Sequence, residues 1–323
     1  MSIGKTLSLL IGACFLANAT ASAQTPEKIK VVSSFAGLWD TSQPVFCKDK
    51  GAFAKAGLDV DVNWARGGSE TVQAVVAGNA DIAYSPGTNA VLAAAMRGAK
   101  IKIVGAQFTG QAGAFFYVPS SSPIRSISDL NGKTVAYPRP GGAMESLILA
   151  LKNDNNLALK PVATGAMDAT HTMVMTGQID VGYAVVPSFL DKVEDGTIRV
   201  LLSSDQIPSQ QHLTGRVNIA SVDFLTKRRG VAKRFFEVLD KCIDDAYADL
   251  PNAIKPYAAM NRIDEAVAQR AVGFYKREYM AFGSLQGLDT TIAQAMKDKF
   301  IDKAPTAEQL ADFTDIIYVS PPR

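Results

Sequence analysis

Three short turns carry residue types that hold an anion without a metal: Gly67-Gly68-Ser69, Ser85-Pro86-Gly87-Thr88 and Gly141-Gly142. Each precedes a segment with helical spacing. A helix start presents unpartnered backbone N–H groups and the positive end of the macrodipole, so it receives an anionic or strongly polar group. Glycine lets a ligand come close to the backbone there. Ser85 or Thr88 is placed to cap the following helix. Arg139, in Pro138-Arg139-Pro140, adds a planar guanidinium suited to clamping a carboxylate or sulfonate. The plain alternatives are tight strand-to-helix turns and an exposed surface arginine. Arg66 is the rival cation at the first turn.

Aromatic residues lie near the same turns. Ser34 and Phe35 end the first strand, with Leu38 and Trp39 just beyond. An aromatic at that point stacks on a planar ligand or covers an aliphatic one; the alternative for Trp39 is packing against its own helix. Phe108, between Gln107 and Thr109, and Tyr183 are similarly placed at strand ends, and the Tyr183 phenol is a candidate donor. Trp64 is expected in the core or at a rim. Asp168 and His171 fall at a helix start facing the same region, the first as an N-terminal helix acid and the second as an ordinary satisfied histidine.

No catalytic set accompanies these residues. G-x-S-x-G, H-E-x-x-H, C-x-x-C and G-x-x-x-x-G-K-[ST] are all missing from the sequence. His171, His212, Cys47 and Cys242 are scattered too widely for a zinc site. The reading is therefore a binder with no catalytic residue, metal or cofactor. The formal charge of +2 gives no argument for nucleic acid.

The elements that must position the turns alternate. With 323 residues, 47% of them hydrophobic, the chain is long enough for two domains. Ile29–Ser34 reads as a strand, Pro44–Ala56 as an amphipathic helix and Leu58–Trp64 as an alternating strand. Ala80–Tyr84, between helical Ser69–Ala77 and Asn89–Met96, and Lys100–Ala106 are further strands. Ala114–Val118, Thr134–Tyr137, Leu159–Ala163, Ile179–Val185 and Ile198–Ser203 form a second strand–helix block, with helices at Ala143–Asn153 and Ala166–Thr176. Such alternation predicts mostly parallel sheets. Gly78-Asn79-Ala80-Asp81 and Gly177-Gln178-Ile179-Asp180 echo each other before strands holding Tyr84 and Tyr183, which suggests two similar lobes. From Val222 the chain reads as helical, through Val231–Leu250, Ile254–Met260, Ile263–Phe282 and Ile292–Phe300. Phe235, Phe236, Leu239, Ile243 and Ala246 share one face.

The N-terminus reads as an export signal: Lys5, an apolar Leu7–Ala17 and Ala21-Ser22-Ala23, with cleavage expected after Ala23. Lipid attachment at Cys14 is the less favoured alternative. Export permits a disulfide between Cys47 and Cys242; two buried free thiols are the equal alternative.

These pieces together resemble the solute-binding proteins of ABC importers, and within them the NMT1/THI5-like group serving nitrate, alkanesulfonate, taurine and thiamine-precursor uptake. The likeness rests on Lys50-Gly51-Ala52-Phe53, Ala56-Gly57-Leu58-Asp59-Val60, Gly67-Gly68 and Ala77-Gly78-Asn79-Ala80-Asp81-Ile82-Ala83. Gly98 with Lys100–Val104 and Ser128-Asp129-Leu130-Asn131-Gly132-Lys133-Thr134-Val135 complete it. It covers about residues 28–205. The resemblance implies a two-lobe α/β fold of the type II-like periplasmic binding protein kind, with the helical C-terminal part packed on the first lobe. The expected division is 24–112 and 201–323 for lobe 1 and 113–200 for lobe 2, joined by crossing strands near Ala114–Val118 and Ile198–Ser203. It implies a periplasmic monomer that closes on a small organic solute (a sulfonate, carboxylate or pyrimidine-like compound) and presents it to an inner-membrane ABC permease. The alternatives are a sensor that reports to a membrane receptor and an enzyme of thiamine-pyrimidine synthesis. The missing cysteine cluster argues against the enzyme.

Overall fold

A computed structural model describes Met1 and residues 25–322. The export-signal reading, with its cleavage after Ala23 and the alternative at Cys14, lies outside the described residues. The chain first forms β1 (Glu27–Ser34), α1 (Gln43–Asp49), α2 (Ala52–Lys55), β2 (Leu58–Ala65) and α3 (Gly68–Val76). Then come β3 (Ile82–Tyr84), α4 (Thr88–Met96) and β4 (Ile101–Thr109). A second block holds β5 (Ala114–Pro119), β6 (Thr134–Tyr137), α5 (Ala143–Asp154), β7 (Lys160–Ala163), α6 (Met167–Met175), β8 (Gly182–Val185), α7 (Leu190–Glu194) and β9 (Ile198–Ser203). After β10 (Thr214–Ser221) the chain is helical, through α8 (Val222–Ala248), α9 (Leu250–Asn261), α10 (Glu265–Gly273), α11 (Leu288–Lys297) and α12 (Ala307–Phe313).

Two separate sheets result. The first has the order β2-β1-β3-β10-β4. In the second lobe, β8-β5-β9 is joined to the pair β6-β7 through a bridge between Val135 and Val181. Both sheets are mostly parallel, as expected, with one strand in each, β10 in the first lobe and β5 in the second, running against the rest. Strands linked through helices pair in parallel, as in β1–β2, β1–β3 and β6–β7. Strands entered from a crossing segment run the other way: β10 against β3 and β4, and β5 against β8 and β9. A right-handed helical crossover returns the chain in the same direction, and a chain arriving from the other lobe has no such constraint.

The repeated Gly-x-x-Asp entry has a structural meaning. Gly78 and Gly177 both take φ of +74°, which a residue with a Cβ adopts at a cost. Asp81 then accepts the Lys30 N–H of β1 at 2.8 Å, and Asp180 accepts the Thr134 N–H of β6, also at 2.8 Å. Each lobe uses the same carboxylate to fix one strand beside its neighbour.

The chain passes between the sheets at residues 110–113 and again at 204–213. The two passages run side by side, with Gly110 N–H donating to the Leu213 carbonyl at 2.9 Å and Ser204 Oγ to the Gln111 carbonyl at 2.6 Å.

The helix expected over Pro44–Ala56 is two helices. Gly51 takes φ of +71° and splits α1 from α2. The helix expected over Ile263–Phe282 ends at Gly273, and only a 3-10 turn at Arg277–Met280 follows. The five apolar residues expected on one face of α8 are all buried. That face packs on the first lobe, where Phe235 stacks on Phe53 of α2 at 5.1 Å between ring centroids. Cys47 and Cys242 form a disulfide from α1 to α8, with a Cα–Cα distance of 6.0 Å. The open choice of disulfide or free thiols is thereby settled: the packing of α8 on α1 brings the two residues together across 195 positions of sequence. Among the described residues, no helix is long and apolar enough to cross a membrane.

Candidate ligand-binding cleft

A cavity of about 550 Å³ lies between the two sheets. Helices α3 and α4 of the first lobe and α5 and α6 of the second all start at its wall, at Gly67-Gly68-Ser69, Gly87, Gly142-Ala143-Met144 and Ala166-Met167-Asp168. The residues preceding these helices are Gly67, Gly87, Gly142 and Ala166, and none caps its helix with a side chain. The first-turn N–H groups therefore lack the usual Ser, Thr or Asp cap and are available to a ligand. Backbone approaches backbone here. A Cβ at Gly68 would sit 2.7 Å from the Gly87 nitrogen, and one at Gly87 would sit 3.3 Å from the Gly141 carbonyl oxygen. The sequence puts glycine at these turns because a larger residue would push the helix starts apart.

Phe35 and Ser85 also line the cleft, and both take left-handed backbone conformations, φ of +46° and +70°. Non-glycine residues hold such conformations only where the surrounding structure imposes them. Ser85 is held by donating through Oγ to Gln107 Oε1 at 2.8 Å.

Of the residues singled out from sequence, Phe35, Gly68, Ser69, Ser85, Arg139, Gly142 and Tyr183 meet at this cavity. Ser34 lies behind Phe35, buried, sharing a hydrogen bond with Thr71 at 2.8 Å. Thr88 turns away and donates to the Thr214 carbonyl at 2.6 Å. Gly141 stands one residue outside, its N–H donating to Glu145 at 2.6 Å. Trp39 is a correction. It is 1% exposed and sits beneath the cleft, its Nε1–H donating to Tyr247 at 3.0 Å and its ring edge-on to Tyr257 at 5.1 Å. The turn forced by Phe35 sends the following residues into the core. Phe108 is likewise fully buried, edge-on to Tyr275 and Tyr279. The Tyr183 ring lines the cleft, but its hydroxyl already donates to the Gly165 carbonyl at 2.7 Å. Burial pushes that phenol up to about 12, so it stays protonated and committed to this bond.

Further residues line the cleft, and of these Met144, Met167 and Arg216 were not singled out from the sequence. Met144 and Met167, each in the first turn of its helix, supply apolar, polarizable surface from the second lobe. Trp64, placed from sequence in the core or at a rim, is 37% exposed and lines the cleft. Arg216 of β10 lies on the cavity floor, only 8% exposed. It pairs with fully buried Asp40 at 2.9 Å and stacks on Phe108, its guanidinium carbon 4.4 Å from the ring centroid. Irregular register with β4 on either side of Arg216 aims the side chain inward. Gln107 joins the same group, within 3.4 Å of Asp40 and 3.2 Å of the Tyr84 hydroxyl. Burial pushes the Asp40 carboxyl above its ordinary range, opposed by Arg216 and by the Gln107 amide. The Arg216 Nε is buried with no hydrogen-bond partner among the described residues.

A larger hollow of about 700 Å³ lies on the outer surface between α1–α2 and α8–α9. Its wall mixes Lys50, Lys55 and Lys241 with Glu237, Asp245 and Asp249 on one lobe alone, and no helix start of eight residues or more points into it except α9, whose first residues include a proline. The cleft between the lobes is the better candidate for a buried ligand.

A model of the family described as NMT1/THI5 like matches residues 43–253. The chain belongs to that family. Among curated relatives, a binding protein of Brucella abortus is 23% identical over 80% of this chain and 79% of its own length. Among solved structures, the alkanesulfonate-binding protein SsuA of Xanthomonas axonopodis pv. citri, bound to MOPS, superposes with a TM-score of 0.74. The match is 20% identical and covers 90% of this chain and 98% of that one. The periplasmic nitrate-binding protein NrtA of Synechocystis gives a TM-score of 0.66 at 13% identity, over 89% and 85% of the two chains. These likenesses establish that this NMT1/THI5-like chain has the periplasmic binding protein fold.

Proposed function

We propose that this protein is an exported solute-binding protein. It captures a small organic anion, a sulfonate, carboxylate or similarly charged compound, in the cleft and delivers it unchanged to an ABC importer of the inner membrane. The observation that carries the reading is the meeting of four helix starts without side-chain caps, two from each lobe, around one cavity with Arg139 and Arg216 in its wall. Oriented N–H groups hold an anion in a site that excludes water. Phe35, Trp64, Met144 and Met167 give apolar surface for an organic body, more than a bare inorganic ion needs. Because each lobe supplies half of the donors, a bound anion favours the arrangement that brings the lobes together. Rotation about the paired passages at 110–113 and 204–213 would supply the closure. The periplasmic location, the monomeric state and the permease as partner belong to the same proposal.

The test is thermal stability of the chain from Gln24 with alkanesulfonates, aromatic carboxylates, nitrate and amino-pyrimidines, with the compound assayed afterwards. A ligand of the native state raises stability by about 2.7 kcal/mol at roughly one hundred times its Kd. Stabilisation by one class, with the compound recovered intact and the radius of gyration reduced, supports capture. Conversion of the compound, or binding without compaction, overturns it.

A further inference from the structure

The charges around the cavity nearly cancel. Three arginines, Arg66, Arg139 and Arg216, line it. Arg66 pairs with Glu70 at 3.3 Å, and Arg216 with buried Asp40 at 2.9 Å. Asp168, in the first turn of α6, faces Arg139 in sign, and neither has an ion pair within 4 Å among the described residues. A further carboxylate, Glu145, stands behind the wall and accepts the Gly141 N–H. The cavity thus carries no surplus of positive charge. Its affinity for an anion must come from the helix starts and from Arg139, the lining arginine without an ion pair among the described residues.

We infer that Asp40 sets the charge limit of the site: by neutralising Arg216 on the cavity floor, it restricts the cleft to organic monoanions and rejects dianionic head groups of the same size. The inference rests on the capture reading above and adds its selectivity. Asp40 is 0% exposed and touches no ligand position; it acts through Arg216 and is a positioning residue. One negative charge finds four helix starts and the Arg139 guanidinium. A second negative charge finds only cations that are already paired, Arg66 with Glu70 and Arg216 with Asp40, while still losing its hydration on entering the cleft, and an unpaired buried charge is costly.

The test is a series on one body: 3-phenylpropane-1-sulfonate, 3-phenylpropylphosphonate, its monomethyl ester and 3-phenylpropan-1-ol, measured by calorimetry on the mature protein at slightly alkaline pH. The ester and the phosphonate differ by one charge at nearly constant shape. The sulfonate and the ester are expected to bind the wild-type protein at least about ten-fold more tightly than the phosphonate and the alcohol. Asp40→Asn keeps the shape and removes the countercharge, so it should narrow the ester-to-phosphonate ratio about ten-fold or more, which a purely structural role for Asp40 would not do. The wild-type comparison stands by itself if the variant fails to fold. Equal binding of ester and phosphonate, or an unchanged ratio in a folded Asp40→Asn protein, overturns the charge limit and leaves capture standing. If the series fails to bind while nitrate or another solute of the wider panel binds, the organic monoanion class falls and capture stands. If neither series nor panel binds, both fall.

Discussion

Ser69 Oγ donates to the Pro140 carbonyl at 2.6 Å, and this bond ties the first turn of α3 in one lobe to the turn before α5 in the other. It lies at the edge of the cleft, where Gly67 also approaches the Arg139 side chain. Ser69→Ala should favour the open arrangement without unfolding either lobe. A net hydrogen bond contributes about 1 kcal/mol, so the closed-to-open ratio should fall about five-fold. Small-angle scattering of the ligand-free protein reads this as a larger radius of gyration. An unchanged radius would show that the bond does not hold the lobes.

Gly68→Ala should be destabilising in spite of alanine's better helix propensity. The new Cβ would meet the Gly87 backbone nitrogen at 2.7 Å, and backbone has little room to yield. Overpacking of this kind costs about 1–3 kcal/mol. Thermal melting is the check, and a neutral or stabilising result would mean that α3 and the turn before α4 can move apart freely.

Replacing Cys47 and Cys242 together by alanine removes a cross-link that closes most of the chain into one loop, 195 residues apart in sequence. The expected loss is about 2–5 kcal/mol, felt as a lower Tm, since the cross-link limits the unfolded chain. Thiol titration of the denatured, unreduced protein should find neither cysteine reactive.

The chain has two tryptophans, and they answer different questions. Trp39 is enclosed with Tyr247 and Tyr257, while Trp64 lines the cleft. Ligand binding should change Trp64 emission and leave Trp39 emission alone. Trp64→Phe should abolish the ligand-induced signal with the fold intact. Trp39→Ala should cost about 3–5 kcal/mol through the cavity it leaves. A ligand signal that persists in Trp64→Phe would place the ligand elsewhere.

Asp180 lies below the ordinary carboxylate range: partial burial raises it, but the Thr134 side chain and N–H together with Lys133 outweigh that effect. A lowered native pKa means that the unfolded chain takes up the proton first. The stabilisation is therefore complete at pH above the unfolded aspartate value and is lost as pH falls through the native one. Asp180→Asn should lower stability at neutral pH by about 1 kcal/mol and flatten the acid limb of the stability curve in that window. An acid limb identical to wild type would remove Asp180 from the account.

The repeated Gly-x-x-Asp entry was legible because its chemistry is local: glycine allows the turn, and the carboxylate takes the next free N–H. The helix starts of the cleft were legible for the same reason. β10 was not. Its residues Thr214–Ser221 are buried on both faces apart from Gly215 and Ser221, so they do not alternate, and polar Arg216 and Asn218 interrupt the apolar run. The short apolar stretch Val217-Asn218-Ile219-Ala220 before the Ser221 cap was the available signal. Missing that strand meant missing Arg216. Trp39 was misplaced because the left-handed backbone at Phe35 reverses the chain, and no periodicity announces such a turn. The division of the cleft between lobes depends on contacts far apart in sequence, which spacing does not encode.

The four bare helix starts bear on how such a protein can change over time. The groups available to an anion there are main-chain atoms, common to every amino acid except proline. Side-chain drift cannot easily delete them. Phe35, Met144 and Met167, by contrast, have apolar side chains that line the cleft by contact alone, and each can be exchanged without breaking a side-chain hydrogen bond. On the capture reading, the anchor for the charged end is inherited with the fold, and the fit to the rest of the solute can be rewritten one side chain at a time. On that reading, a lineage built this way can move from one organic anion to another without passing through a form that binds nothing.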